Sequence, residues 1–142
     1  MKTFDLKRVE LVKLPIEKME DVLVARFLLR QQASKLGASN ETIARITTAI
    51  SEITRNVVQY AGVPGEALIY RVEQDGRKGL KVVVRDEGVG IEAPEKCLSG
   101  NAVGNGAGLP GTRDTMDEFE LQSGPSQGTV VSFCKWFDPD HD

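Results

Sequence analysis

The chain has 142 residues and a formal net charge of −3, with 18 Lys and Arg against 21 Asp and Glu; 40% of it is hydrophobic and 27% charged. That length supports one domain with a real core, and the composition excludes a disordered or fibrous chain. The acidic balance argues against a protein built to bind nucleic acid, which carries a basic surplus or stripe.

The opening residues, Met1-Lys2-Thr3-Phe4-Asp5-Leu6-Lys7-Arg8, carry charge where a secretory signal needs an apolar run, and no apolar stretch reaches membrane-spanning length. Cys97 and Cys134 make no disulfide framework and have no metal-ligand partner at useful spacing. The single histidine, His141, lies one residue from the end. Ser/His/Asp catalysis, a His-rich zinc site and a phosphohistidine relay are therefore excluded, and a cytoplasmic protein is the expectation.

In chain order, Arg8 to Leu14 alternates and predicts a strand ended by Pro15. Glu17 to Leu36 carries Met19, Val22, Leu23, Phe27, Leu29, Ala33 and Leu36 near helical spacing, with Gly37 as the stop. Ser39 offers an N-cap to a second helix that runs to Ala61 and breaks at Gly62-Val63-Pro64-Gly65. Ala67 to Gln74 alternates as a strand, and Asp75 to Gly79 predicts the turn. Leu80 to Arg85, with three consecutive valines, predicts a strand buried on both faces.

Gly88 to Gly108 is glycine-rich and aperiodic, a loop of a length that usually serves function. A short helix is predicted from Pro110, then strands over Glu118 to Ser123 and Thr129 to Phe137 around a turn at Gly124 to Gly128, with 138–142 a frayed tail. One domain over 1–142 is expected. The order predicts an α/β (α+β) two-layer sandwich: a mixed or antiparallel sheet with helices on one face.

Three stretches carry candidate chemistry. On the second helix Ile43, Ile46, Ile50, Ile53 and Val57 share a face, while Glu52 and Asn56, four apart, project together from another. A carboxylate beside a carboxamide can orient a hydroxyl and ligate a hard cation; the same pair is also what a solvated helix face looks like. Asp86-Glu87-Gly88-Val89-Gly90-Ile91 places an aspartate at a strand end, able to accept from an exocyclic amine, with glycines that allow close backbone approach; a tight turn with a charged rim reads the same way. Gly104-Asn105-Gly106-Ala107-Gly108-Leu109-Pro110-Gly111 opens a helix whose N–H groups suit phosphate, or forms a hinge. It is neither a Walker A sequence nor a dinucleotide fingerprint.

Taken in order, Glu-x-x-x-Asn, Asp-x-Gly-x-Gly, Gly-x-Gly-x-Gly-Leu and Gly128-Thr129 resemble the GHKL ATPase/kinase superfamily with its Bergerat nucleotide fold, over nearly the whole chain. The resemblance implies ATP and Mg²⁺ as ligands. Asn56 would hold the metal, Asp86 and Thr129 would read adenine, and Gly88 and Gly90 would make room for the base. The segment from Glu92 to Gly108 would be an ATP lid, with Gly104, Gly106, Gly108, Leu109 and Arg113 toward the phosphates. Glu52 would accept or orient the proton of a Ser or Thr hydroxyl. Ala44 to Glu52, Arg55-Asn56, Gly106 to Gly111 and Met116 to Phe119 further resemble the RsbT-type switch serine/threonine kinases of bacterial stressosomes. That likeness implies STAS-domain substrates like RsbS and RsbR, and activation of an RsbU-like phosphatase. An anti-sigma kinase that holds a sigma factor and phosphorylates its antagonist, and a non-catalytic nucleotide-binding adaptor, are the other readings. No nucleic-acid or membrane partner is expected.

Overall fold

The structure, a computed structural model, describes residues 6–88, 115–123 and 128–137. Strand β1 spans Lys7–Ile16, helix α1 Met19–Lys35 and helix α2 Asn40–Asn56, which runs on into a π-helical turn over Val57–Ala61. Strands β2 (Gly65–Gln74), β3 (Arg77–Asp86), β4 (Glu118–Ser123) and β5 (Thr129–Phe137) follow. The five strands form one sheet in the order β1-β2-β3-β5-β4, and each neighbouring pair is antiparallel.

One sheet face carries Leu14, Ile16, Ala67, Ile69, Leu80, Val82, Val84, Val131 and Phe133, all buried, and it packs with Ala25, Leu29, Ile46, Ile50 and Ile53 of the helices in a single core. The expected two-layer sandwich is therefore the observed fold, with the sheet wholly antiparallel among the described strands. Period-two alternation dictates this arrangement: Val82 and Val84 face the helices, Val83 is half-buried on the other side beside Leu68 and Ser132, and Arg85 is exposed. The expectation that the valine strand is buried on both faces is thus corrected. Only one face of the described sheet meets helices, which is the pattern of an antiparallel rather than a parallel sheet.

Several boundaries also shift. β1 continues through Pro15 to Ile16 because it is an edge strand, where a residue without an N–H costs no ladder bond. The β2–β3 turn is only two residues, not five. Asp75 and Gly76 both have left-handed φ, 54° and 83°, as a tight hairpin connection requires, and Gln74 pairs with Arg77. On α1 the buried stripe is Val22, Ala25, Leu29 and Ala33, while Met19, Leu23 and Phe27 of the predicted apolar set are exposed. α1 packs chiefly on α2, and small alanines let the two helices approach. The glycine loop, the helix predicted from Pro110, the 124–128 turn (but for Gly128) and the tail lie outside the described residues.

α1 starts on a carboxylate. Asp21 Oδ2 accepts from the backbone N–H groups of Glu17 (2.8 Å) and Lys18 (2.9 Å), and these bonds, first that to Lys18, hold its carboxyl below the ordinary range. A lowered pKa gives stability that is present above the unfolded-state value and lost as pH falls through the folded one. Asp21→Ala is expected to lose about 0.5–2 kcal/mol in urea unfolding near neutral pH. The difference from wild type should shrink in acid, and a difference that grew there would contradict the capping role.

Candidate functional site

α2 is divided along its length as well as around its circumference. Its core face is Ile46, Ala49, Ile50 and Ile53, and its inward hydroxyls are consumed by the helix itself. Thr47 Oγ1 donates to Ile43 O (2.8 Å), Ser51 Oγ to Thr47 O (2.6 Å) and Thr54 Oγ1 to Ile50 O (2.6 Å). Those hydroxyls are satisfied and buried, which removes them as candidates for chemistry.

The polar face tells the site from the surface. At its N-terminal end Glu41, Ala44, Arg45 and Thr48 are exposed, and Arg45 pairs with Glu41 at 2.7 Å as an ordinary surface pair. One turn further on, Glu52, Arg55 and Asn56 are half-buried. This face is thus wet at one end and partly covered at the other: the first half of α2 is a plain solvated face, and the second half is partly covered. Arg55 Nη1 donates to Glu52 Oε2 at 3.2 Å, with each side chain about one-third exposed (35% and 34%).

Beyond that end the chain meets glycines. Asn56 is the last α-helical residue, and Val57–Ala61 widens into a π turn that ends on Gly62 with φ 82°. The sequence reading ends the helix at the same residue, Ala61; five residues are too few for periodicity to tell α from π winding. Against this turn lies the β3 exit. A Cβ on Gly88 would collide with the carbonyl oxygen of Ala61, so the loop backbone rests directly on the π turn. A Cβ on Gly65 would lie 2.8 Å from Val57 Cγ1 and 3.2 Å from Asp86 Cβ, and one on Gly128 would collide with Asp86 O. Gly65 and Gly128 thus close on Asp86, and Gly88 on Ala61, at distances only glycine permits.

Asp86 ends β3, paired with Gly65 on one side and Thr129 on the other. Its Oδ1 accepts from Gly88 N–H at 2.8 Å. Burial pushes its carboxyl up, partly opposed by that hydrogen bond. Thr129 shares a 2.8 Å hydroxyl contact with Ser123, whose Oγ also donates to Gly128 O at 2.9 Å. The fold brings Asp86, Gly88 and Thr129 to one corner, against the turn that follows Asn56. Gly88, assigned by resemblance to make room for a base, has the space beside it filled by Ala61. Gly90, Gly104, Gly106, Gly108, Leu109 and Arg113 lie outside the described residues. Sequence reading missed Gly65 as a site residue. It stood as a helix breaker, and nothing in a linear pattern shows that its neighbour in space is an aspartate twenty-one residues on.

An open groove of about 610 Å³ runs past the same strand ends, lined by Val63, Pro64, Glu66, Arg85, Asp86 and Val130. Glu66, Arg85 and Val130 belong to one cross-strand row on the outer face, so this groove lies on the far side of the sheet from α2. Arg85 binds Glu66 at 2.7 Å and, with Lys13 at 3.6 Å, holds the Glu66 carboxyl below its ordinary range. The groove is thus a salt-bridged rim on the face of the sheet away from α2.

Residues 17–135 match the family model described as histidine kinase-like ATPase domain. The chain is 44% identical over 119 residues to the serine/threonine-protein kinase RsbT of Bacillus subtilis, covering 82% of this chain and 89% of that one. It is 30% identical over 129 residues to an anti-sigma F factor of Caldanaerobacter subterraneus, covering 85% and 89%. A solved histidine kinase domain from the Erythrobacter litoralis EL346 blue-light activated histidine kinase aligns with TM-score 0.46 and 20% identity, over 67% of this chain and about half (47%) of that one.

Two outcomes test the corner. Gly88→Ala must displace the Ala61 backbone and is expected to lose about 1–3 kcal/mol by denaturant unfolding; wild-type stability would show that the close approach does not persist in solution. Asp86 has a raised pKa, so its contribution to stability is present below the unfolded-state value and is lost as pH rises through the folded one. Asp86→Asn is therefore expected to melt at or above the wild-type temperature at about pH 7, with the advantage gone near pH 3. A variant clearly less stable than wild type at pH 7 would overturn the desolvation account.

Proposed function

The chain belongs to the histidine kinase-like ATPase domain family and is a serine/threonine-protein kinase within it, and we propose that it is a switch kinase acting on STAS-domain scaffold proteins, RsbS- or RsbR-like, in a stressosome. On this reading residues 1–142 act as one ATP-binding kinase domain in the cytoplasm. Partner switching follows, in which the released kinase activates an RsbU-like phosphatase. The observation that carries the reading is the half-burial of Glu52 and Asn56 on the one stretch of α2 that continues into the turn packed on Gly88, two residues after Asp86. The 44% identity to RsbT supports the choice of substrate class. Among the described residues no helix is long and apolar enough to cross a membrane.

The described residues form no cluster of three or more His, Cys, Asp or Glu that could cage a metal. They fit instead a cation carried on phosphates, which takes one neutral oxygen from the protein and the rest from phosphate and water. Asn56 would supply that oxygen, and bound Mg²⁺ would neutralise phosphate charge. Asp86 would accept from the adenine amino group, with Thr129 assisting through water. Gly88 holds the loop, and Gly90, Gly104, Gly106, Gly108, Leu109 and Arg113 would enclose the base and phosphates as part of the lid and the helix after it.

Phosphoryl transfer asks for positioning and charge stabilisation more than for covalent chemistry. The Ser or Thr oxygen bonds to the γ-phosphorus as the bond from that phosphorus to the β,γ-bridging oxygen breaks. ADP leaves, and the hydroxyl proton passes to Glu52 or through it to water. A carboxylate is a weak base near neutral pH, so the main contribution of Glu52 is to orient the hydroxyl.

Incubation with labelled ATP, Mg²⁺ and a STAS-domain protein tests the reading, label on a Ser or Thr being the expected result; ATP binding without transfer would leave a nucleotide-binding adaptor. The anti-sigma reading draws on the 30% relatives, and retention of a sigma factor rather than a STAS scaffold in a pull-down would favour it. Glu52→Ala is expected to bind ATP as wild type does and to lose transfer by at least about 100-fold, while Asn56→Ala loses Mg²⁺-dependent ATP binding. Equal loss of affinity and rate in the first, or an unchanged Mg²⁺-ATP affinity in the second, would reassign those residues.

A further inference from the structure

We infer that Arg55 is a positioning residue for phosphoryl transfer, fixing the Glu52 carboxylate so that one oxygen is held by the protein and the other is presented to the incoming hydroxyl. The inference rests on the kinase reading above and adds to it a residue whose role follows from the geometry of this chain.

Arg55 Nη1 lies 3.2 Å from Glu52 Oε2. Among the described residues Glu52 Oε1 makes no hydrogen bond, so the pairing divides the carboxylate into a held and an open oxygen. α2 carries a second Glu–Arg pair as an internal comparison. Glu41 and Arg45 stand in i,i+4 register with side chains 74% and 47% exposed, the setting in which such pairs do little. Glu52 and Arg55 stand in i,i+3 register, both about one-third exposed, one residue before Asn56 and the start of the π turn. Their contribution to folding is small by the same reasoning. Their partial burial beside Asn56 gives the pairing another consequence.

A glutamate has three rotatable side-chain bonds and, unpartnered, spends time in several rotamers. A group that orients a nucleophile must be held to within a fraction of an ångström, and misplacement of about 1 Å costs up to about 100-fold in rate. The Arg55 guanidinium is anchored one turn further along the same helix and presents a planar donor fork, so a single bond to Oε2 restrains the whole carboxylate. It touches neither nucleotide nor substrate in this role; it acts through Glu52.

The test is a double-mutant cycle on transfer to the STAS protein with Glu52→Gln, Arg55→Ala and both together. Arg55→Ala is expected to lower kcat by roughly 10- to 100-fold, leaving KM for ATP, KM for the protein substrate and the melting temperature as in wild type. Arg55→Lys, which keeps a charged donor, should recover most of the loss. In the Glu52→Gln background Arg55→Ala should have no further effect, because the group it positions is already disabled. Additive losses would mean that Arg55 acts somewhere other than Glu52. A raised KM for ATP or for the protein with kcat intact would make Arg55 a ligand contact, and wild-type kcat in Arg55→Ala would remove it from the mechanism; each result overturns the inference while the kinase reading stands. No transfer by the wild-type protein, with ATP binding intact, would bring down both.

Discussion

The rest of the site depends on one steric contact, the backbone of Gly88 lying directly on the carbonyl of Ala61. Through it the end of β3 is docked on the turn that closes α2, and no residue with a Cβ could stand at that point. Gly65 beside Val57 and Asp86, and Gly128 against the Asp86 carbonyl, repeat the constraint from the two flanking strands. The consequence is positional. An aspartate at a strand end and a carboxamide at a helix end, thirty residues apart in the chain, are tied to the same few backbone atoms, so the distance between them is set by packing rather than by flexible side chains.

α2 serves two masters because a helix has more than one face and this one also has two ends. Its isoleucines fill the core, and its buried hydroxyls turn back onto the helix carbonyls, leaving no stray polar group to compete with a ligand. The remaining face is solvent at Glu41 and Arg45 and half-buried at Glu52, Arg55 and Asn56. The change from α to π winding just after Asn56 is where the helix stops being a core element and becomes a site element. Burial raises the pKa of Asp86 in the same corner, a cost in folding free energy that only its hydrogen bond from Gly88 opposes.

Membership in the histidine kinase-like ATPase domain family gives this geometry its chemistry. A fold of this kind offers a nucleotide cleft; which protein accepts the phosphoryl group depends on surfaces outside it. The likeness to the serine/threonine-protein kinase RsbT, at 44% identity, exceeds that to the anti-sigma F factor, at 30%, each over most of both chains.

The sequence by itself determined the elements whose pattern is local. The alternation of β2, the isoleucine face of α2, the Ser39 cap and a turn opening at Asp75-Gly76 are written in spacings of two to four residues, and these stand in the fold. The order of the Glu-x-x-x-Asn and Asp-x-Gly-x-Gly motifs was legible in the same way, and with it the family. Tertiary structure alone decided that the valine strand is covered on one face, because coverage depends on what packs there and not on the strand's own residues. It alone decided that Met19, Leu23 and Phe27 lie outside while alanines lie inside, since close helix packing selects small side chains. And it alone decided that Gly65 and Gly128 close on Asp86 and that Gly88 rests on Ala61, because close approach between backbones is a property of where the chain returns in space, and nothing in the local spacing of residues records it.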